Sequence, residues 1–194
     1  MIKKIKEQVV SYFLPEGAVS LDELEICLYG LHMMAKKACH IVFILFLGFI
    51  LGEFCSIVLF LVIYAQIREY SGGYHADSSI GCYWCTIIAT ICAVALVKIL
   101  SQINLFLNLG CMLICGGIIW GLSPQEAENK PLTEKEKIKY QYVTRKYLLV
   151  SGGLCVFGVV YPLIMYSVIT AWVIQAIMLV AGKLKSTCKR RKRI

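Results

Sequence analysis

Residues 80–122 read IGCYWCTIIATICAVALVKIL, then SQ, then INLFLNLGCMLICGGIIWGL, and this stretch decides the fold. Each apolar run has 20 or 21 residues. A helix needs about 20 residues to cross the hydrocarbon core of a bilayer. Because only two polar residues separate the runs, they predict a helical hairpin whose two ends lie on the same side of a membrane.

The composition of the whole chain agrees with a membrane protein. Of its 194 residues, 59% are hydrophobic and 16% are charged, and the mean hydropathy is +0.72. A soluble domain carries about a quarter of charged residues. Further apolar runs occupy 147–166, 168–184 and the stretch 27–67, which is interrupted near 48–53. We therefore predict an all-α integral membrane protein of about six transmembrane helices, or five if 27–67 crosses once, preceded by an amphipathic N-terminal segment at 1–26.

Clustered basic residues predict the orientation. Of 20 Lys and Arg, five lie before residue 41, six between 128 and 147, and seven after 182. Basic flanks of membrane helices face the cytoplasm. The loops 66–79 and 123–146 and the C-terminal tail are thus predicted to be cytoplasmic and to contact anionic lipid. The basic segments are short and lack interleaved aromatic residues, which argues against nucleic-acid binding.

The loop at 68–85, REYSGGYHADSSIGCYWC, holds the candidate chemistry. Asp77 and Ser78 are N-cap residue types, so a helix is predicted to begin there and to place Cys82 in or near its first turn. The positive helix end favours a thiolate, and His75 would serve as the base of a Cys–His pair. The residues alone leave open that Cys82 is one more thiol at lipid depth and that His75 is a headgroup-level polar residue.

Other readings of this loop stay open as well. Arg68 either binds a substrate carboxylate or oxyanion, or reaches to lipid phosphates. Cys82 and Cys85 form a CxxC, which is typical of a membrane thiol–disulfide oxidoreductase. Zinc would need two more ligands beyond these two cysteines, and His75 offers only one, so no metal site is predicted. A transporter without covalent chemistry is a further alternative, which Glu53 supports poorly as the sole acidic residue between 40 and 66.

The pattern Arg68-x4-Gly73-x-His75-Ala76-x5-Cys82 resembles the accessory gene regulator B (AgrB) family, membrane endopeptidases of bacterial peptide quorum sensing. The resemblance covers most of the chain. It implies a single membrane-embedded peptidase domain at 1–194, in the bacterial cell membrane, with the active site on the cytoplasmic face and with no cofactor or metal. It also implies that Cys82 and His75 cleave a small AgrD-like propeptide through a thioester and promote formation of a thiolactone.

The resemblance assigns supporting roles to further residues. Arg68 and Gly73 match the active region of the family, whereas Lys135 and Lys137 in the polar loop match it loosely. A homodimer is left open, since Gly48-x-x-x-Gly52 would let helices approach closely within one chain or between two.

Overall fold

The computed structural model describes residues 21–74, 76, 78–126, 132–158 and 160–191. Inside the helices, the side chains of residues 21–25, 79, 82, 189 and 190 are outside this description. The described part contains six helices and no strand, which confirms the all-α prediction. The helices are α1 Leu21–Ile50, α2 Phe54–Ser71, α3 Ser79–Leu100, α4 Leu105–Leu122, α5 Glu134–Gly158 and α6 Pro162–Arg191.

Five of these helices contain a segment that is long and apolar enough to cross a membrane. The segments are Ile26–Ile50, Phe54–Ser71, Tyr83–Leu100, Leu105–Leu122 and Pro162–Cys188. The remaining helix, α5, begins with the polar sequence EKEKIKYQYVTRK, so only its second half is apolar. The protein is therefore a multi-pass helical membrane protein in which one helix extends from a polar loop into the bundle.

A turn divides the N-terminal apolar stretch into two helices, as expected from its interruption near 48–53. α1 ends at Ile50 and α2 begins at Phe54, and Gly52 between them has a φ of +72°. A Cβ on Gly48 would lie 3.1 Å from the Cβ of Ile57, so the end of α1 packs closely on α2. Because Gly52 lies in the turn, the two glycines do not share a helix face. Residues 1–20 of the predicted amphipathic segment lie outside the described residues.

The chain divides into two compact units, Met1–Phe43 and Ile44–Ile194. In the first unit, the described part of α1 exposes large apolar side chains, among them Tyr29 and Met34. The second unit holds the buried core and all of the candidate catalytic loop. Exposed apolar side chains suit a helix that contacts lipid.

The predicted boundary between the last two apolar runs was wrong. The apolar run 147–166 is not a single helix, because α5 ends at Gly158 and Pro162, within that run, is the first residue of α6. Proline suits that position because the first turn of a helix does not use its backbone N–H. Gly158 allows the tight reversal, since a Cβ there would lie 2.6 Å from the Cβ of Met165.

The helix α6 lies at the centre of the second unit and contacts α2, α3, α4 and α5. Val168, Ile169 and Leu179 on this helix are fully buried. Trp172 fills the space that two glycines leave open. A Cβ on Gly116 of α4 would lie 2.6 Å from the Trp172 ring, and one on Gly152 of α5 would lie 3.4 Å from it. The centre of the bundle is thus close-packed around α6.

Candidate active site

Two glycines shape the loop that leaves α2. The helix ends at Ser71, and the N–H of Gly72 donates to the Arg68 carbonyl over 3.2 Å. Gly72 has a φ of +71° and Gly73 a φ of +130°, a region that residues with a Cβ rarely adopt. A Cβ on Gly72 would also overlap the carbonyl oxygen of Gln125. The chain therefore turns sharply here, and glycine is required at both positions.

The Arg68 side chain holds this turn. Its Nη1 donates to the Gly72 carbonyl over 2.6 Å, and its Nη2 donates to the Tyr74 carbonyl. A Cβ on Gly73 would overlap Nη1, so the guanidinium lies directly against the backbone of that residue. The structure therefore brings Arg68 and Gly73 into contact. The planar guanidinium fork suits two carbonyls that are two residues apart.

The loop also docks on α6. The N–H of Tyr74 donates to the Met178 carbonyl over 2.8 Å. The ammonium of Lys185, further along α6, lies 5.1 Å from the centroid of the Tyr74 ring. The backbone of Tyr74, the residue immediately before His75, is thus fixed on the central helix. The aromatic ring of Tyr74 lies close to the Lys185 cation.

Two glutamine side chains complete the contacts around Ser71. Gln175 of α6 donates through Nε2 to the Ser71 hydroxyl over 2.6 Å and to the Gly72 carbonyl over 2.9 Å. The backbone N–H of Gln125, which follows α4, donates to the Ser71 carbonyl over 2.9 Å. The Nε2 of Gln125 donates to the Leu179 carbonyl over 2.6 Å. The start of the loop is therefore joined to both α6 and the segment after α4.

The predicted helix start before Cys82 is confirmed. Ser78 is the N-cap of α3, with φ −120° and ψ 149°, and its hydroxyl accepts from the Gly81 N–H over 3.0 Å. Cys82 is the fourth residue of α3, in its first turn. The backbone N–H groups of a first turn have no partner within the helix, and their partial positive charge favours an anion there. His75 and the side chain of Cys82 lie outside the described part, so their pairing stays a prediction.

The lysines that the sequence assigns loosely are in different environments. Lys137 forms ion pairs of 2.8 Å with Glu126 and with Glu134, and the hydrogen bonds that its ammonium donates to both carboxylates raise the pKa of that ammonium. Glu126 follows Gln125, so Lys137 belongs to the end of the bundle that carries the candidate loop. The side chain of Lys135 is exposed to solvent.

The polar loop before α5 ends in the capping box that its sequence predicts. The Thr133 N–H donates to the Glu136 carboxylate over 2.9 Å, and the Glu136 N–H donates to the Thr133 hydroxyl over 3.3 Å. Reciprocal bonds of this kind satisfy two otherwise unpaired donors at the start of a helix. The capping box fixes where α5 begins and thereby where Lys137 lies.

Thiols are frequent among the described residues, but no cluster of metal ligands occurs there. Nine cysteines there are free thiols, and Cys85 is half-buried three residues beyond Cys82. Within the same part of the chain, His, Cys, Asp and Glu side chains form no group of three or more that would hold a metal ion.

No sequence motif points to Gln125, Gln175 or Gly182, although all three contact the loop. Only Gln175 gives a signal, because it is the one amide side chain in the apolar segment 162–188. A strongly polar side chain inside a membrane helix commonly has a structural or functional partner. The contacts of Gln125 and Gly182 depend on how α4 and α6 pack, which the sequence does not show.

The fold and the loop define a class: multi-pass membrane proteins that carry a glycine-turn histidine followed by a cysteine at a helix start. The chain belongs to the accessory gene regulator B (AgrB) family, whose model matches residues 2–179. Membership supports a part in agr quorum-sensing peptide processing.

Similar proteins carry names of the same family. The chain is 28% identical to AgrB-like protein 2 of Clostridium perfringens (strain 13 / Type A), over 77% of this chain and 73% of that protein. It is 26% identical to an AgrB-like protein of C. perfringens (strain SM101 / Type A), with the same coverage of 77% and 73%. It is 24% identical to AgrB-like protein 1 of strain 13, over 91% of this chain and 89% of that protein. No solved structure matches the chain significantly.

Proposed function

We propose that the chain is a membrane-bound cysteine endopeptidase that cleaves a small AgrD-like propeptide at its C-terminal side through a thioester and promotes formation of a thiolactone for quorum sensing. In this proposal the peptidase domain spans 1–194, and His75 and Cys82 are the catalytic residues. The observation that carries the proposal is the rigid turn at Gly72 and Gly73, which leads directly to His75 and then to a helix with Cys82 in its first turn.

The first chemical step is attack on the scissile amide. His75 accepts the thiol proton of Cys82, and the sulfur bonds to the carbonyl carbon. The carbon–nitrogen bond then breaks, and the C-terminal fragment leaves as an amine that takes its proton from His75. The N-terminal fragment remains on Cys82 as a thioester. The helix start supports this step because its dipole stabilises the thiolate form of the nucleophile.

The second step is transfer of the acyl group to a thiol of the propeptide. That thiol loses its proton to His75, its sulfur bonds to the thioester carbon, and the Cys82 thiolate leaves. One thioester replaces another, so the exchange is nearly isoenergetic and yields a thiolactone. Water would compete for the same carbon, and a site at the membrane boundary limits its access. Holding the propeptide thiol nearby raises its effective concentration.

Charge supports a cytoplasmic site in contact with lipid headgroups. Lys137 and Lys185 lie at the end of the bundle that carries the loop, and exposed Lys183 lies at the same end of α6. Basic residues beside membrane helices face the cytoplasm and attract anionic lipid. An amphipathic propeptide on that surface would reach the loop without leaving the interface.

The experiment is co-expression of the full chain with the propeptide encoded beside it, followed by mass spectrometry of the peptide and of the enzyme. Wild type is expected to cleave, and Cys82→Ala and His75→Ala are not. A mass adduct on Cys82 that hydroxylamine releases would support the thioester. Cleavage by Cys82→Ala at the wild-type rate would overturn the proposal.

A thiol–disulfide oxidoreductase is the second candidate, because the free thiol of Cys85 lies one helical turn beyond Cys82. That function needs both sulfurs, whereas the peptidase needs only Cys82. Cys85→Ser therefore separates the two: retained propeptide cleavage supports the peptidase, and loss of function equal to that of Cys82→Ser supports the oxidoreductase.

A further inference from the structure

One stretch of the central helix, from Gln175 to Gly182, carries the loop that precedes His75. We call these residues, 175–182, the α6 seat. Three hydrogen bonds join the loop to the seat: two that the Gln175 amide donates to Ser71 and Gly72, and one that the Tyr74 N–H donates to the Met178 carbonyl. A fourth bond joins the seat to the segment after α4, where Gln125 Nε2 donates to the Leu179 carbonyl. The two accepting carbonyls are adjacent along α6.

Burying the amide of Gln175 in an apolar helix costs free energy of folding, so its presence there calls for a function. Its side chain is fully buried, and in the described part of the chain its Oε1 has no hydrogen-bond partner. A buried polar atom without a partner destabilises a protein. A leucine would fill a similar volume in this apolar helix and would bring no unpaired oxygen of its own. The bonds of Gln175 to Ser71 and Gly72 therefore serve the position of the loop rather than the stability of the bundle.

Gly182 lets the loop approach α6 closely. A Cβ there would lie 2.5 Å from the Oε1 of Gln125, 2.8 Å from the backbone nitrogen of Tyr74 and 2.9 Å from the carbonyl carbon of Gly73. Two of these three atoms belong to the backbone, which cannot move aside as a flexible side chain would. A single methyl group at this position would push the loop away from the seat.

We propose that Gln175 and Gly182 are positioning residues of the peptidase. They act through the backbone of 71–74 and thereby fix the position from which the chain continues into His75. The proposal rests on the proposed function of His75 and Cys82. In a preorganised site, a misplacement of about 1 Å can cost about 100-fold in rate. Displacing the loop should therefore lower kcat and leave propeptide binding largely intact.

The first measurement follows the loop without using activity. In the full chain in lipid nanodiscs, the Tyr74 amide is expected to exchange slowly with deuterium, because it donates to the Met178 carbonyl. Gly182→Ala should accelerate exchange in peptides covering 72–74 by at least ~10-fold, a rise that loss of one protecting bond allows. The matched control is Gly117→Ala on α4, where nothing lies within 4 Å of an added Cβ.

The second measurement is the steady-state rate of propeptide cleavage at varied propeptide concentration. Gly182→Ala and Gln175→Leu should lower kcat by ~10- to 100-fold and change KM by less than ~3-fold. Gly117→Ala should match wild type in both. Gln175→Leu guards against misfolding, since it removes the two bonds to the loop while keeping an apolar helix. Size-exclusion profiles and helical circular dichroism of both variants should equal those of wild type.

The outcomes separate this proposal from the proposed function. If amide exchange at 72–74 is unchanged in Gly182→Ala, the α6 seat does not hold the loop, whatever the rate of cleavage. Faster exchange with an unchanged kcat would overturn the positioning role. Cleavage that persists in Cys82→Ala would instead overturn the peptidase mechanism, and the exchange contrast between Gly182→Ala and Gly117→Ala would still decide whether the seat holds the loop.

Discussion

The guanidinium of Arg68 lies against the bare Cα of Gly73, so closely that a methyl group on residue 73 would overlap Nη1. The same guanidinium donates to the carbonyls on either side of that residue, at Gly72 and Tyr74. An arginine and a glycine, five positions apart, thus form one unit that sets the path of the chain into His75.

Replacing Arg68 by lysine tests the two-carbonyl contact. An ammonium keeps the charge but cannot reach both carbonyls with the planar geometry of a guanidinium. We expect Arg68→Lys to reduce kcat for propeptide cleavage by ~10- to 100-fold, the range for a displaced catalytic group, with a smaller change in KM. Steady-state cleavage at varied propeptide concentration measures both. A lysine variant with the wild-type kcat would show that charge alone suffices at this position.

Gly73→Ala tests the other half of the unit. The φ of +130° strains any residue with a Cβ, and the added methyl overlaps Nη1 of Arg68. Strain of this type costs about 1–3 kcal/mol. We expect the loop to shift and cleavage to fall below detection, while the helical bundle keeps its melting temperature within a few degrees. Gly153→Ala, with nothing within 4 Å of its Cβ, is the matched control and should cleave normally.

Gly116→Ala tests the packing of the central helix. A Cβ there would lie 2.6 Å from the Trp172 ring, which a neighbouring glycine, Gly152, also contacts. Overpacking of a close-packed core costs about 1–3 kcal/mol. We expect a lower melting temperature for Gly116→Ala than for Gly117→Ala in the same detergent. Equal melting temperatures would mean that the Trp172 ring moves aside freely.

The hydrogen bond of the same indole can be tested separately. Trp172 Nε1 donates to the Ser151 hydroxyl over 3.1 Å in the buried core. Trp172→Phe removes this bond and some volume, whereas Ser151→Ala removes this bond together with the one that the same hydroxyl donates to the Tyr147 carbonyl over 2.6 Å. Losing one such bond costs about 1 kcal/mol. Thermal unfolding should therefore place Ser151→Ala between wild type and Trp172→Phe, and the opposite order would contradict the assigned bond.

The ion pairs of Lys137 give a pH-dependent prediction. Glu126 and Glu134 raise the pKa of the ammonium in the folded protein. The contribution of these pairs is then fully present below the unfolded lysine pKa of about 10.4 and is lost as the pH rises through the folded value. The difference in melting temperature between wild type and Lys137→Met should be constant from about pH 7 to 9. The same difference should become smaller above about pH 10.4. Because the pairs are exposed, added salt should also shrink the difference.

Local features of the site could be predicted from the sequence because each depends on residues that are neighbours in the chain. Ser78 caps α3 through a bond to Gly81, and Thr133 caps α5 through Glu136, each three residues away. The glycine pair before His75 likewise predicts its own turn. These residues required no knowledge of how the helices pack.

Features that depend on how the helices pack could not be predicted from the sequence. Gln175 and Ser71 are 104 residues apart, and only the folded bundle brings them within 2.6 Å. Pro162 was assigned to the wrong helix for a related reason. A proline in an apolar run is compatible with the end of one membrane helix or the start of the next, and hydropathy does not distinguish them. The reversal at Gly158 depends on its contact with Met165, which the sequence does not show.

The position of the central helix in the chain has a consequence for biosynthesis. α6 is the last of the six described helices to leave the ribosome, yet it contacts α2, α3, α4 and α5 and carries the carbonyls that hold Tyr74. While the earlier helices are being inserted, the loop before His75 has no surface on which to settle. The nascent protein should therefore be catalytically silent, and activity should begin only when the final helix has entered the bilayer.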